Sequence, residues 1–258
     1  MESIAQIKER IRICPDGELE SLLPEFAADE RDGVRKLVAA GYKRIDAYKK
    51  ECSRTEEMWH YERMYPDREA IGGIDEVGRG PLAGPVVAAC VILPKDCKLL
   101  YINDSKQLSE KKREELYDRI LEEAVSVGVG VVSHTVIDEI NILQATYQAM
   151  REAIAMMSVK PDQLLVDAVH IPQVSVPQRG IVKGDAKSIS IAAASIVAKV
   201  TRDRMMAELD KEYPGYGFAG NKGYGSAEHI AAIRSMGPCP IHRRSFIHAF
   251  VDDPEGNS

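Results

Sequence analysis

Two adjacent acids, Asp75 and Glu76, close an apolar run of the sequence, and Gly78, Arg79 and Gly80 follow almost at once. Glycines carry no side chain, so a loop of this kind allows backbone amides to approach a ligand closely. Carboxylates at the end of a buried strand beside such a loop suit a divalent cation next to a phosphate. The alternative is a tight glycine turn that closes a hairpin and leaves two solvated acids at its rim. The first interpretation predicts chemistry on a phosphodiester, and this segment alone does not separate the two.

Two further acids stand in positions that need an explanation. Asp167 ends the apolar run 164–166, where a buried charge is costly unless it is paired, hydrogen-bonded or bound to metal. Asp185 precedes an apolar helix, and the simple alternative for it is a helix N-cap. Four acids gathered from three or four elements at one edge of a sheet would suit two divalent cations. Two such ions can activate a water and stabilise the leaving oxygen in an in-line displacement at phosphorus.

Two kinds of pattern along the chain predict the elements that must position these acids. Residues 1 to 68 show apolar residues at helical spacing and a break at Pro24, which predicts a small helical N-terminal module. Residues 69 to 258 alternate strand and helix patterns, which predicts an α/β domain with a C-terminal helical region. The predicted strands are 71–77, 86–93, 125–133, 163–169 and 174–182. Three helices are predicted in this domain. The first begins after the N-cap Ser109, and the other two cover 136–157 and 188–209.

Composition narrows the class of protein. The chain has 258 residues, a formal charge of -6 and five cysteines without a C-x-x-C pair, which disfavours a disulfide framework and a thiolate zinc site. No apolar stretch reaches the ~20 residues that span a bilayer, and the charged N-terminus does not resemble a secretory signal. We therefore expect no membrane partner and a cytoplasmic location.

The acidic total charge hides a locally basic region. Lys183, Lys187, Lys199 and Arg202 lie close together in the sequence, and the segment 242–246 repeats the pattern. Such runs are often solvated helix faces, but these flank a proposed metal acid, which favours contacts with phosphates. His229, His242 and His248 lack the spacing of a zinc set, so we expect surface or structural roles for them.

Several long motifs, in the same order, resemble those of bacterial ribonuclease HII, the type 2 ribonuclease H. The motifs are IDEVGRGPLAGP at 74–85, NDSKQL at 103–108, Asp167, Gly184-Asp185 and Gly223-Tyr224-Gly225. The resemblance covers about residues 70 to 250. It implies a ribonuclease H-like mixed sheet flanked by helices. Ribonuclease HIII shares that fold and can also carry an N-terminal extension, but the glycine–arginine–glycine sequence and the Asp185 spacing resemble the HII form.

The resemblance also implies an activity and its metal site. Family members hydrolyse the RNA strand of RNA/DNA hybrids and incise 5′ of single ribonucleotides embedded in duplex DNA. The four metal-site acids, which are also the catalytic residues, map onto Asp75, Glu76, Asp167 and Asp185. We therefore expect two Mg²⁺ or Mn²⁺ ions and products with 5′-phosphate and 3′-hydroxyl ends. The expected roles are ribonucleotide excision and RNA primer removal.

By the same resemblance, five residues are expected to bind substrate. Gly78, Arg79 and Gly80 are similar to the family's ribonucleotide sensor, in which backbone groups reach the 2′-hydroxyl that separates RNA from DNA. Tyr224 resembles the family tyrosine that stacks on the sugar, and without the resemblance it would be an ordinary loop aromatic. Lys106 is expected to contact a backbone phosphate, although a lone lysine usually lies on the surface without such a role.

Two alternatives remain open from the sequence. One is a metal-dependent nuclease of the same fold, such as a resolvase or exonuclease, which would keep the acids but need no 2′-hydroxyl sensor. The other is a non-catalytic module that binds RNA/DNA hybrids, and the presence of all four acids counts against it. The expected partners are RNA/DNA hybrids and ribonucleotide-containing duplex DNA, and the expected state is a monomer.

Overall fold

The computed structural model describes residues 2–95 and 97–251, and its backbone divides into two compact units between residues 57 and 58. The domain boundary expected at residue 68 stays a prediction, and residues 252–258 of the second predicted domain lie outside the described residues. No helix in the described ranges is long and apolar enough to cross a membrane.

The first unit is helical, as the apolar spacing predicts. Its helices are α1 (Ile4–Ile13), α2 (Leu19–Leu22) and α3 (Asp32–Met58), and Pro24 lies in a short 3₁₀ helix. Ser3 and Gln6 form a reciprocal capping box at the start of α1. The buried apolar core of this unit consists of Ile7, Ile11, Leu19, Leu23, Phe26, Val34 and Ile45.

The second unit holds a sheet of five strands with helices around it. The strands are β1 (Ile71–Val77), β2 (Val86–Ile92), β3 (Ser126–Val132), β4 (Gln163–Asp167) and β5 (Gln178–Ile181). The helices are α4 (Glu110–Glu123), α5 (His134–Met156), α6 (Ile189–Glu212), α7 (Phe218–Asn221), α8 (Ala227–Met236) and α9 (Arg244–Val251).

The sheet is mixed and has the strand order β3-β2-β1-β4-β5. β1 pairs antiparallel with β2, which pairs antiparallel with β3, whereas β4 runs parallel to both β1 and β5. This arrangement confirms the predicted mixed sheet flanked by helices. The parallel pairing of β1 and β4 matters most, because it brings their carboxyl ends to one edge.

Strand β2 is apolar throughout because both faces of the sheet are covered. Val87, Ala89 and Val91 pack in the core that contains α4 and α6 residues, whereas Ala88 and Cys90 pack in the core with α5. Successive side chains of a strand point to opposite faces, so a strand buried on both faces has no polar alternation.

Helix α6 lies directly against β1. A Cβ at Gly73 would stand 2.1 Å from the carbonyl carbon of Ser190, so only glycine allows this approach. The N-cap of α6 is Ser188, whose side chain accepts a hydrogen bond from the Ile191 amide. The capping role considered for Asp185 is therefore wrong, and its carboxylate needs another explanation.

Most predicted elements differ from the observed ones by a few residues, and the differences at β5 and α5 have a visible cause. β5 covers only Gln178–Ile181, because the Gln178 side chain exchanges hydrogen bonds with the backbone of Ile171 and so ties the preceding segment into a loop. Helix α5 begins two residues before the predicted start and is interrupted at Asn141, which has φ 67° and whose side chain accepts bonds from the next turn.

Candidate active site

The ends of two parallel strands position two of the four acids. Ile74 of β1 pairs with Val166 of β4, so the next residues, Asp75 and Asp167, lie side by side at the carboxyl edge. Asp75 is only 7% exposed, and the Glu76 side chain is 12% exposed. The alternative interpretation, with two solvated acids at the rim of a turn, is therefore wrong for this pair.

The fourth acid reaches the same edge through the next parallel strand. β5 leads into a 3₁₀ turn at Gly184–Ala186, which carries Asp185. The Gly184 amide donates a hydrogen bond of 2.7 Å to Oδ1 of Asp167, so the turn is tied to the end of β4. The charges of Asp185 and Asp167 are close enough to interact. The structure thus brings the four sequence-predicted acids together from three elements.

Burial and mutual repulsion act on the two acids of β1. Burial raises the pKa of Asp75 well above its ordinary value, and the Glu76 charge adds to this, while a hydrogen bond from Ser195 opposes it. Burial also raises the pKa of Glu76, against the opposing effect of the Arg79 guanidinium, whose Nη1 lies 3.3 Å from Glu76 Oε1. Both carboxylates therefore lack full compensation of their charge.

The pKa of Asp185 is raised for related reasons. Burial has the largest effect, the charges of Asp104 and Asp167 add to it, and Lys106 opposes it. Asp104 is thus a fifth carboxylate at this edge, which the sequence reasoning quoted in a motif but did not single out as a site residue.

The chemistry of these donors fits a divalent cation. All four predicted ligands offer carboxylate oxygens, which hard cations such as Mg²⁺ and Mn²⁺ prefer, and a cation would offset the burial and repulsion described above. Within residues 2–95 and 97–251, no three His, Cys, Asp or Glu side chains stand at metal-ligand spacing.

Ser195 supports the site from α6, and the sequence reasoning missed it. Its side chain hydrogen-bonds to Asp75, and its Oγ lies 2.9 Å from Oγ of Ser105, which is also buried. Ser105 belongs to the NDSKQL motif, so this pair joins the motif to the strand that carries Asp75. The available signal was a serine inside the mainly apolar first half of a helix.

Lys106 lies near the acids, as expected. Its ammonium interacts with Asp104, Asp75 and Asp185, and these charges raise its pKa although burial alone would lower it. The side chain is exposed, and the Tyr224 phenol also acts electrostatically on its pKa. Lys106 is therefore close enough to the carboxylates and to Tyr224 for their charges to act on it, and its contact with a phosphate stays a prediction.

The glycine loop faces the predicted tyrosine. Gly78 has a φ of 92°, a backbone conformation that favours glycine. The next two residues, Arg79 and Gly80, are exposed to solvent. A Cβ at Gly80 would lie 3.8 Å from Cε1 of Tyr224, whose side chain is 42% exposed. The backbone holds the two segments together, because the Leu82 amide donates to the Gly223 carbonyl at 2.7 Å. The predicted sensor loop and tyrosine therefore form one surface beside the acids.

Two arginines that sequence reasoning placed on a basic face are completely buried. Arg202 and Arg243 have 0% exposure, so the prediction that they contact phosphates at the surface is wrong. Arg202 donates to the carbonyls of Ala83, Pro85 and Lys222 at 3.1, 2.9 and 2.8 Å. Backbone carbonyls from distant segments, rather than water, thus accept the hydrogen bonds of this guanidinium. Lys199 is not free either, since it pairs with Asp203 at 2.7 Å.

A buried histidine pair supports the Tyr224 loop. Nε2 of His229 lies 3.0 Å from Nε2 of His242, and Nδ1 of His229 lies 2.8 Å from the Tyr224 carbonyl. The Cys239 amide donates to Nδ1 of His242 at 2.9 Å. This pattern assigns a neutral chain in which His242 donates to His229 and His229 donates to Tyr224. Of the two roles expected for these histidines, the structural one fits this hydrogen-bonded chain. The surface one does not, because both side chains are buried.

Comparisons with known proteins show the family and the fold of this chain. The ribonuclease HII family model matches residues 72–249, and the ribonuclease HII N-terminal domain model matches residues 3–66. Ribonuclease HII of Lachnoclostridium phytofermentans is 60% identical over 244 residues, covering 95% of this chain and 96% of that protein. Ribonuclease HII of Enterococcus faecalis is 53% identical over 247 residues, with the same coverage. The crystal structure of ribonuclease H2 from Pyrococcus horikoshii has a TM-score of 0.60 and 26% identity, and covers 71% of this chain and 98% of that one.

The fold and the carboxylate edge define a metal-dependent endoribonuclease with a ribonuclease H-like sheet. Within that class, the chain belongs to the ribonuclease HII family, whose members degrade RNA in RNA/DNA hybrids.

Proposed function

We propose that this enzyme cleaves the RNA strand of hybrids and incises duplex DNA 5′ of a single embedded ribonucleotide. The observation that carries the proposal is that Tyr224 faces the glycine loop: its Cε1 lies 3.8 Å from where a Cβ of Gly80 would stand, and the acids lie nearby at the ends of β1 and β4. A surface that can contact one sugar therefore adjoins the groups that would hold the reacting phosphate.

Asp75, Glu76, Asp167 and Asp185 would hold two divalent cations. When bound, Mg²⁺ or Mn²⁺ supplies an activated water and stabilises the leaving oxygen, which gives 5′-phosphate and 3′-hydroxyl ends. Ser195 orients the Asp75 carboxylate by its hydrogen bond.

The chain's own residues position the nucleic acid. The backbone of Gly78, Arg79 and Gly80 contacts the ribose and its phosphate, since two glycines leave room for close approach. Tyr224 stacks on the neighbouring sugar, and Lys106 neutralises a backbone phosphate near the acids.

These roles suit ribonucleotide excision and removal of RNA primers in the cytoplasm by a monomeric enzyme. The monomer proposal is checked by light scattering of the purified chain.

Cleavage of three matched duplexes tests the function. One is all DNA, one carries a single ribonucleotide, and one is an RNA/DNA hybrid. We expect incision of the last two only, with 5′-phosphate products, and no incision in EDTA. Cleavage of the all-DNA duplex at a comparable rate would show a nuclease without ribose recognition.

A further inference from the structure

The buried guanidinium of Arg243 binds the inner side of the glycine loop. Its Nη2 donates to the carbonyl of Gly78 at 2.5 Å, and its Nη1 donates to the carbonyl of Arg79 at 2.9 Å. The same side chain donates to Gly84 through Nε at 3.0 Å and to Pro85 at 3.2 Å. All three nitrogens are thus used on backbone carbonyls, and burial lowers the pKa of this arginine to about 9 without making it neutral at pH 7.

These bonds determine where the loop's amides point. In a trans peptide, the carbonyl of one residue and the N–H of the next point in opposite directions. Because Arg243 holds the carbonyls of Gly78 and Arg79, the N–H groups of Arg79 and Gly80 point away from it. Within the described residues neither N–H donates a hydrogen bond, and both residues are exposed.

We propose that Arg243 is a positioning residue that fixes two successive peptides of the loop so that the N–H groups of Arg79 and Gly80 face the substrate. The inference rests on the proposed function, because it takes the ribose and phosphate of a ribonucleotide as the ligand. Two adjacent N–H groups form a concave donor pair that suits an anionic or hydroxyl oxygen.

The glycines explain why such a clamp is needed. Gly78 and Gly80 flank the two peptides, and glycine rotates between conformations at little steric cost. A rotated peptide would present its carbonyl oxygen to the phosphate, and this oxygen, which carries a partial negative charge, would repel the phosphate. Arg243 stabilises one orientation from the protein interior, so it contributes to ribonucleotide recognition without touching the substrate.

A lysine cannot replace this clamp, since its single ammonium lacks the planar fork that reaches several carbonyls at once. Arg202 provides a matched control. It is equally buried and also donates to the Pro85 carbonyl, but its hydrogen bonds do not include Gly78 or Arg79. Arg202→Lys therefore removes a comparable buried fork while leaving the two loop carbonyls on Arg243.

The test compares Arg243→Lys and Arg202→Lys with the wild-type enzyme on duplex DNA that carries one ribonucleotide. The ribonucleotide-free duplex serves as a competitive inhibitor. For Arg243→Lys we expect KM to rise at least about tenfold, which corresponds to about 1.4 kcal/mol, with kcat falling much less. The inhibition constant of the all-DNA duplex should change less than about twofold, because phosphate contacts outside the loop remain. Arg202→Lys should lower the melting temperature similarly but raise KM less.

An unchanged KM for a folded Arg243→Lys enzyme, or an equal rise of KM for both variants, overturns the inference. Failure of the proposed function is seen separately, as a wild-type enzyme that does not prefer the ribonucleotide-containing duplex.

Hydrogen–deuterium exchange of the wild-type enzyme keeps the inference testable if Arg243→Lys does not fold. The amides of Arg79 and Gly80 should exchange rapidly in the free enzyme. The ribonucleotide-containing duplex should protect them, and the all-DNA duplex should not. Slow exchange in the free enzyme, or equal protection by both duplexes, overturns the inference.

Discussion

The amide of Gly184 donates a hydrogen bond of 2.7 Å to Oδ1 of Asp167. This bond joins the end of β4 to the turn that carries Asp185, so two acids that are distant in sequence share one local geometry. One oxygen of Asp167 is thereby oriented from outside, and the carboxylate can present its other oxygen to a cation.

Asp167→Asn separates the two roles of this side chain. The amide keeps an oxygen that can accept from Gly184 but removes the charge that a cation requires. We expect hydrolysis of a ribonucleotide-containing duplex to fall at least about 100-fold, while the melting temperature stays close to that of the wild type. Asp167→Ala, which removes the acceptor as well, should also lower the melting temperature. A variant Asp167→Asn with normal turnover would exclude this carboxylate from the metal site.

Asp75→Asn should stabilise the protein while removing its activity. Burial and the Glu76 charge raise the pKa of Asp75, so the ionised carboxylate is unfavourable in the folded state without metal. In EDTA we expect a higher melting temperature for the variant. Mg²⁺ at 100 times its Kd should add about 2.7 kcal/mol to the unfolding free energy of the wild type and so raise its melting temperature. The melting temperature of the variant should rise less. Equal responses to Mg²⁺ would contradict the assignment of Asp75 as a ligand.

Ser195→Ala tests the hydrogen bond to Asp75 from α6. Ser105→Ala is its matched control, because both changes remove the 2.9 Å contact between the two hydroxyl groups but only Ser195 bonds to Asp75. Each variant should lose about 1–3 kcal/mol of unfolding free energy, since a buried hydroxyl is left without its partner. We expect the larger loss of kcat for Ser195→Ala. Equal kcat values for the two variants would show that Ser195 acts only through packing.

Regular elements and capping residues could be predicted from the sequence because their signals are local. β1 has the predicted bounds, Ser109 caps α4, and the apolar helix beginning after Ser188 was expected from its composition. The acids at strand ends were found in the same way, since a charge inside an apolar run is a local anomaly.

The supporting residues could not be found in this way, because their partners are distant in sequence. Arg243 bonds to carbonyls about 160 residues earlier, and a charge run gives no sign that backbone oxygens, rather than solvent, surround it. Ser195 has the same difficulty, since its contact with Ser105 depends on how α6 packs. Burial of polar groups is a property of the tertiary fold, and periodicity reports it only for apolar residues.

Gly78→Ala and Gly80→Ala should affect the enzyme differently. A Cβ at Gly78 would stand 2.3 Å from Nε of Arg202 and 2.7 Å from the Pro85 carbonyl oxygen, at a φ of 92°. That variant should lose at least about 1–3 kcal/mol of unfolding free energy. At Gly80 the nearest atom is Cε1 of Tyr224 at 3.8 Å, so the fold accepts the methyl group.

For Gly80→Ala we therefore expect a normal melting temperature but a higher KM for a ribonucleotide-containing duplex, because the methyl group occupies the space between the loop and Tyr224. Chemical denaturation and steady-state kinetics measure the two effects. A normal KM for Gly80→Ala would remove the loop from substrate binding.

The buried histidine pair makes the stability of the enzyme depend on pH. Burial lowers the pKa of His242 from 6.5 to about 4, although the backbone of Cys239 acts in the opposite direction. The Cys239 amide donates to Nδ1, which carries no proton in the folded ring. Between these two pH values the unfolded chain binds a proton that the folded chain does not. Unfolding free energy must therefore fall as the pH falls from about 6.5 to about 4, and it is fully retained only above that range.

His242→Gln removes this titration and leaves the carboxylates of the protein unchanged. We expect the variant to be less stable than the wild type at pH 7, but its unfolding free energy should fall less steeply between pH 6.5 and pH 4. Urea denaturation at several pH values measures both slopes. Parallel slopes for the wild type and His242→Gln would mean that His242 accepts its proton in the folded state as readily as in the unfolded state, which the neutral chain from Cys239 to Tyr224 does not allow.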